Sequence, residues 1–274
     1  MTFEQAMKIH LSDYKMTKLA LTHPEKWRGK DKDYHYILPA SQWELNFLSS
    51  YRTEIVKYIT EEKVKLHQYF HHLNSSQAVC FNFFYPLIAE GQLPLLLKAL
   101  QLSGEEVEAY KFEKNMPGKE RTNFDFYLKL KSGKEVLFEV KYTENGFGKA
   151  TDSERYQKQY RNVYRQMLAG KIQSGVSEYH ALIKNYQLLR NIAYVDSGGE
   201  KQLILIGPKN NKKLHKEYEN AMRDIITPEL RKSIQMITWE SLVERVKIQL
   251  MSNVNMHGKL ADHYQEFQEK YFPV

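Results

Sequence analysis

The chain has 274 residues, 42% of them apolar and including 13 Phe, 19 Tyr and 3 Trp, which excludes a disordered composition and suffices for one large domain or a core with an accessory segment. A formal net charge of +7 favours polyanionic partners, either nucleic acid or an anionic surface. The single cysteine, Cys80, excludes an intramolecular disulfide and any cysteine-based zinc site; it reads as a small apolar core residue of a cytoplasmic chain.

The opening Met-Thr-Phe-Glu-Gln-Ala lacks a basic stretch followed by an apolar one, so no secretory signal is expected. Residues 1 to about 35 are polar and mixed, with a loop predicted at Lys26 to Lys32. Helical spacing then runs from Ser41 to about His72 through Trp43, Phe47, Tyr51, Ile55, Tyr58 and Ile59. This defines a helical N-terminal segment over 1–73, ahead of a larger α/β domain over 74–274.

Asn74-Ser75-Ser76 is a capping cluster that opens an apolar helix, Gln77 to about Leu87, and a second helix covers Leu95 to Leu102. No apolar run is long enough to span a membrane. Val107 to Phe112 reads as a strand and Met116-Pro117-Gly118-Lys119 as a turn. Two period-2 runs follow, Asn123 to Leu130 and Glu135 to Tyr142. Helices are expected at Arg155 to Leu168 and Tyr179 to Tyr194, a short buried strand at Gln202 to Ile206, and a helix at Leu214 to Ile226. A last strand at Met236 to Trp239 and helices at Ser241 to Leu250 and Asp262 to Tyr271 complete the chain. Helix, three-strand antiparallel meander, helices and a parallel strand make a mixed α/β fold.

The two period-2 runs carry the chemistry. Phe124, Phe126, Leu128 and Leu130 share one face of the first strand, with Asp125, Tyr127 and Lys129 on the other. On the second strand Val136, Phe138 and Val140 oppose Leu137, Glu139 and Lys141. A two-residue loop at Ser132-Gly133 would put the two apolar rows on opposite faces, which a half-buried sheet rejects. A three-residue loop, Lys131-Ser132-Gly133, pairs Leu130 with Lys134, places Gly133 where a left-handed residue is favoured, and aligns the rows. Asp125 then faces Glu139 with Cβ atoms about 5 Å apart, and Lys141 lies two residues along. Facing carboxylates repel unless a cation joins them, and a hard divalent ion is a natural solution. Charged residues on a sheet's solvent face commonly form plain ion pairs, so an exposed Asp125–Glu139–Lys141 cluster is the simpler alternative.

Phe124-Asp125 followed by Glu139-Val140-Lys141 resembles the signature of the PD-(D/E)XK nuclease superfamily, to which restriction endonucleases belong, and the element order over about 75–208 is similar to its core. Phe124 stands where some members have Pro. Asn74 to Leu87 with Thr122 to Glu144 looks like a bacterial branch of that superfamily. The resemblance implies a restriction endonuclease-like core and Mg²⁺ or Mn²⁺ held by Asp125, Glu139 and the Val140 carbonyl. It also implies that Lys141 orients or helps activate water and offsets phosphate charge during DNA phosphodiester hydrolysis, in restriction, defence or repair. A nucleic-acid-binding protein on the same fold with little or no cleavage is the alternative. Double-strand cutting by one site per chain favours a homodimer.

Related nucleases project a polar residue from the helix after the third strand, and Gln187 matches it; Gln187, Arg190 and Asn191 share one helix face, which also suits an ordinary solvated polar face. Glu90, Glu113 and Glu144 are further acidic candidates, and each also suits an ordinary surface or turn role. Arg155, Lys158, Arg161 and Arg165 interleave with Tyr156, Tyr160 and Tyr164, as suits a phosphate backbone with stacked bases, and equally an amphipathic helix with Tyr inward. Lys209 to Lys216 is a second basic stretch. His67 and His71 have helical metal spacing without a third ligand. Neither a Walker-type glycine loop nor a Gly-x-Ser-x-Gly elbow occurs.

Overall fold

The computed structural model describes residues 1–118, 122–251 and 258–273. These divide into two compact units: residues 1–104 with 239–274, and residues 105–238. The boundary therefore falls at Gly104/Glu105 and Thr238/Trp239 rather than at 73/74.

The first unit is helical. Helix α1 (Phe3–Lys18) opens with a capping box between Thr2 and Gln5 and buries Met7, Leu11 and Tyr14. Sequence periodicity missed it, because its apolar positions are few and its remaining faces strongly polar. Strands β1 (Glu25–Lys26) and β2 (Asp33–Tyr34) form a small hairpin around the expected loop. The continuous helix expected from Ser41 to His72 is instead two 3-10 turns, Ala40–Asn46 and Ser49–Tyr51, and helix α2 (Arg52–Glu61). Beyond α2 the chain reaches Ser75 without helix, and His67 and His71 lie in that stretch, which removes their helical ligand spacing.

Helix α3 (Ser76–Ala89) starts where expected, with the Ser75 side chain accepting from the Ala78 N–H. Helix α4 (Leu93–Ala99) follows. Two late helices complete the unit, α11 (Trp239–Met251) and α12 (Gly258–Tyr271). Asn82 of α3 donates to the Tyr271 hydroxyl at 2.7 Å, the His263 ring meets the Asn82 carbonyl at 2.6 Å, and Tyr264 donates to the Phe83 carbonyl at 2.8 Å. These bonds to α12 assign α3 to the helical unit. Lys270 is fully buried, donates to the Asn46 carbonyl and Oδ1 at 2.6 and 2.9 Å, and has its pKa driven well down by burial.

The second unit is a five-stranded sheet ordered β3 (Val107–Asn115), β4 (Asn123–Leu130), β5 (Glu135–Val140), β6 (Lys201–Gly207), β7 (Ile234–Thr238). Strands β3 to β5 form the antiparallel meander; β6 joins β5 in parallel and β7 joins β6 in parallel. Lys119 of the expected turn lies outside the described residues. The β4–β5 hairpin takes the three-residue-loop register: Phe126 pairs with Phe138 and Leu128 with Val136. Leu130 N–H donates to the Lys134 carbonyl at 2.8 Å, and Gly133 sits at φ +92°. Phe112, Phe126 and Phe138 consequently stack across three strands, with ring centroids 4.9 and 5.5 Å apart.

Between β5 and β6 lie α5 (Glu154–Gln159), a π-helical turn (Tyr160–Tyr164), α6 (Arg165–Met167), α7 (Glu178–Lys184) and α8 (Tyr186–Ile192). The helix expected from Tyr179 to Tyr194 is broken at Asn185, whose φ of −128° and ψ of 44° leave the helical region. Helices α9 (Lys212–Asp224) and α10 (Pro228–Arg231) connect β6 to β7. Tyr127, Leu137, Leu203 and Leu205 from the sheet pack with Tyr164, Leu188, Ile192 and Leu214 from these helices, so the sheet face bearing Glu139 is covered rather than solvated.

Two buried histidines make the helical unit acid-sensitive. Burial holds His72 and His263 down to about 4, with His71 and Lys8 adding to the effect at His72. The unfolded chain takes up these protons near pH 6.5 and the folded chain does not, so stability is complete above that pH and lost as pH falls towards 4. Chemical unfolding at pH 7 and pH 4 should differ by several kcal/mol, and His263→Gln should reduce the difference; equal midpoints at both pH values contradict it.

Candidate functional site

Strand alternation puts Asp125 and Tyr127 of β4 on the face that Leu137 and Glu139 occupy on β5, with Lys141 directly after that strand. Continuing the observed register one step beyond Phe126–Phe138 sets Asp125 across from Glu139. Asp125 Oδ2 accepts from the Val140 backbone N–H at 2.6 Å, so the carboxylate is held to the neighbouring strand. The Lys141 N–H donates to the Ile206 carbonyl at 2.8 Å, fixing the start of that side chain against β6.

The Lys141 ammonium meets Glu139 Oε1 at 2.8 Å and donates to Gln187 Oε1 at 2.9 Å. Gln187 Nε2 donates to Glu139 Oε1 at 2.7 Å, and Asn191 Nδ2 to Glu139 Oε2 at 2.8 Å. Gln187 and Asn191 lie one turn apart on α8, so one helix face grips both oxygens of Glu139. Glu139 is 4% exposed and Lys141 6%, which rules out the exposed ion-pair cluster. Asp125 and Gln187 keep partial exposure, so the constellation opens on their side.

Burial dominates the electrostatics. It pushes the Asp125 carboxyl well above its ordinary 3.8; the charges of Glu139 and then Glu113 add to the rise, while Lys141 and the Val140 N–H oppose it. Burial pulls Lys141 down, but Glu139, Glu144 and Asp125 together outweigh it, and its pKa is raised above 10.5. Lys141 is therefore a cation at neutral pH. Asn191 is fully buried, and its Oδ1 has no hydrogen-bond partner among the described residues.

Beyond Lys141 the chain is held by α9. Glu144 accepts from the Tyr142 N–H at 2.6 Å, and its carbonyl accepts from Asn211 Nδ2 at 2.8 Å. The Glu217 carboxylate accepts from the Phe147 N–H at 2.8 Å and lies against Gly146, where an added Cβ would meet its Oε2 at 2.3 Å. Gly146 also sits at φ +98°, so both conformation and space call for glycine.

A divalent ion fits this donor set. Two carboxylates face each other, and burial first, with the Glu139 charge second, raises the Asp125 pKa, both of which a bound cation would offset. Glu139 uses three of its roughly four acceptor positions, leaving one. Among the described residues no group of three or more His, Cys, Asp or Glu is placed to hold a metal, so two acids and a carbonyl such as Val140 are the available ligands.

The structure thus brings Asp125, Glu139, Lys141 and Gln187 together. Glu113, on β3 with φ +50°, adds charge at Asp125, whereas Glu90 accepts from the Tyr51 hydroxyl at 2.7 Å within the helical unit. Arg155, Lys158, Arg161 and Arg165 are all exposed. Their tyrosines turn inward: Tyr164 is fully buried and its hydroxyl meets that of Tyr186 at 3.3 Å, beside Gln187. Sequence reasoning noted that Asn191 shares the Gln187 face without giving it a role, and missed Asn211 and Glu217 altogether. No local pattern marks those two, because their partners lie 67 and 70 residues away.

An acid dyad and a lysine on the meander, with a glutamine from α8 closing over them, make up the candidate site. The chain belongs to the family described as Restriction Endonuclease associating with ARP, which matches residues 8–272. Comparison with curated proteins finds no match, and neither does comparison with solved structures.

The raised Asp125 pKa carries a stability consequence. The folded state binds this proton more tightly than the unfolded chain, so as pH rises above 3.8 the folded state is penalised until the folded pKa is passed. Asp125→Asn should raise Tm at pH 7 in chelator by at least about 2–4 °C, the shift for about 1 kcal/mol in a chain of this size. The gain should close as pH approaches 4; an unchanged or lower Tm at pH 7 contradicts the assignment.

Proposed function

We propose that this chain is a metal-dependent endonuclease of the PD-(D/E)XK type that hydrolyses DNA phosphodiester bonds, in restriction, defence or repair. The observation that carries the reading is the constellation of buried Glu139 and Lys141 with partly exposed Asp125 and Gln187, the acids on facing strands and the amine two residues along. Membership of a restriction endonuclease family supports DNA as the substrate. Among the described residues no helix is long and apolar enough to cross a membrane.

Asp125, Glu139 and the Val140 carbonyl would hold Mg²⁺ or Mn²⁺. When bound, the ion supplies Lewis acidity at the phosphate and acidifies a water. Lys141 has a different task. Because its neighbours keep it protonated, it acts as a fixed positive charge and hydrogen-bond donor toward a phosphate oxygen or the attacking water, and not as the base. Gln187 fixes that ammonium from one side and Glu139 from the other, so little reorganisation is left for the reaction itself. Asn191 keeps Glu139 from rotating. Cleaving both strands with one such site per chain would take a second copy.

Plasmid DNA incubated with Mg²⁺ should be nicked by the wild-type chain and left intact in chelator. Asp125→Ala and Lys141→Ala should each lower the nicking rate by at least about 100-fold, the scale for losing one transition-state charge or donor. Binding without nicking would replace this reading by that of a nucleic-acid-binding protein on the same fold, and neither binding nor nicking would reject both.

A further inference from the structure

Beside the candidate site, α9 carries a basic groove of about 450 Å³, lined by Lys209, Lys212, Lys216 and Arg223 with Glu219 as its single acid. We propose that this groove is a contact surface for a nucleic-acid phosphodiester backbone, separate from the basic face of α5; the proposal rests on the nucleic-acid reading above.

Three features argue for it. The charge is unspent in the N-terminal half of the helix: among the described residues neither Lys212 nor Lys216 makes an ion pair, whereas Arg223 is engaged by both oxygens of Asp224 at 2.7 and 2.8 Å. Glu217, which stands four residues on from Lys213 where it could pair with it, instead takes the Phe147 N–H. The first turn of α9 holds Lys212 and Lys213 and no acidic residue. Cations there oppose the helix dipole, and a bound anion would relieve that opposition.

The spacing suits a chain of charges rather than one ion. Lys212 and Lys216 are one turn apart, about 6 Å along the axis. The helix is also fastened to the segment leaving Lys141, through Asn211 on the Glu144 carbonyl at 2.8 Å and Glu217 on Phe147. A backbone in this groove would thus be held by the element that braces the residues following Lys141, and phosphate contacts of this kind set register without reading sequence.

The test compares full-length wild type with two double variants, Lys212→Gln with Lys216→Gln and Lys212→Arg with Lys216→Arg. Binding of a labelled random-sequence duplex, and of its single strand, is followed in chelator over a range of salt. The glutamine pair should flatten the plot of log Kobs against log salt by about 1.8 on the duplex and about 1.4 on the single strand, from about 0.9 and 0.7 per phosphate contact. The arginine pair should keep the wild-type slope. A wild type that binds neither form overturns the nucleic-acid reading and this proposal with it. Wild-type binding with an unchanged slope in the glutamine pair overturns the α9 surface alone. Equal losses in both pairs overturn it too, because the loss would then not follow charge.

Discussion

The site depends on the register of a single hairpin. Three residues, Lys131 to Gly133, turn β4 into β5, and Gly133 supplies the left-handed conformation that this turn requires. Because side chains alternate, a slip of one residue would send Glu139 and Lys141 to the opposite face and bring Val140 beside Asp125. The aromatic row Phe112–Phe126–Phe138 on the other face opposes such a slip. Hydrophobic packing on one side of the sheet therefore pays for electrostatic strain on the other.

That strain is contained by neighbours rather than by water. Lys141, Gln187 and Asn191 supply three donors to one carboxylate, and two of them come from consecutive turns of α8. Such a network is costly if any member is missing, since an uncompensated buried charge costs several kcal/mol. Asp125 escapes this saturation. It sits on the partly exposed side, and burial together with the Glu139 and Glu113 charges raises its pKa.

The meander, the hairpin register and the facing acids were legible in the sequence because they follow from strand alternation and one glycine. The resemblance singled out Gln187, and its partners in the structure are Glu139 and Lys141. The helical unit was harder. α1 has only a narrow apolar stripe, and the span after Ser41 carries helix-like spacing while its residues are consumed by 3-10 turns and by the aromatic contacts of Trp43, Phe47 and Phe70. The burial of Glu139 and Lys141 was also out of reach: alternation tells which face they share, and only the packing of α8 and α9 tells that this face is dry. Asn211 and Glu217 act through backbone groups far away in the chain, where no local rule applies.

The way the chain is shared between the two units bears on its synthesis. Residues 105–238 form one uninterrupted stretch, so the sheet can finish assembling as soon as β7 leaves the ribosome. The helical unit must wait. Its α3 reserves Asn82 and the Phe83 carbonyl for α12, and Asn46 waits for Lys270 of the same helix, which is made after the sheet. Until then a largely apolar α3 stands without its contacts to α12.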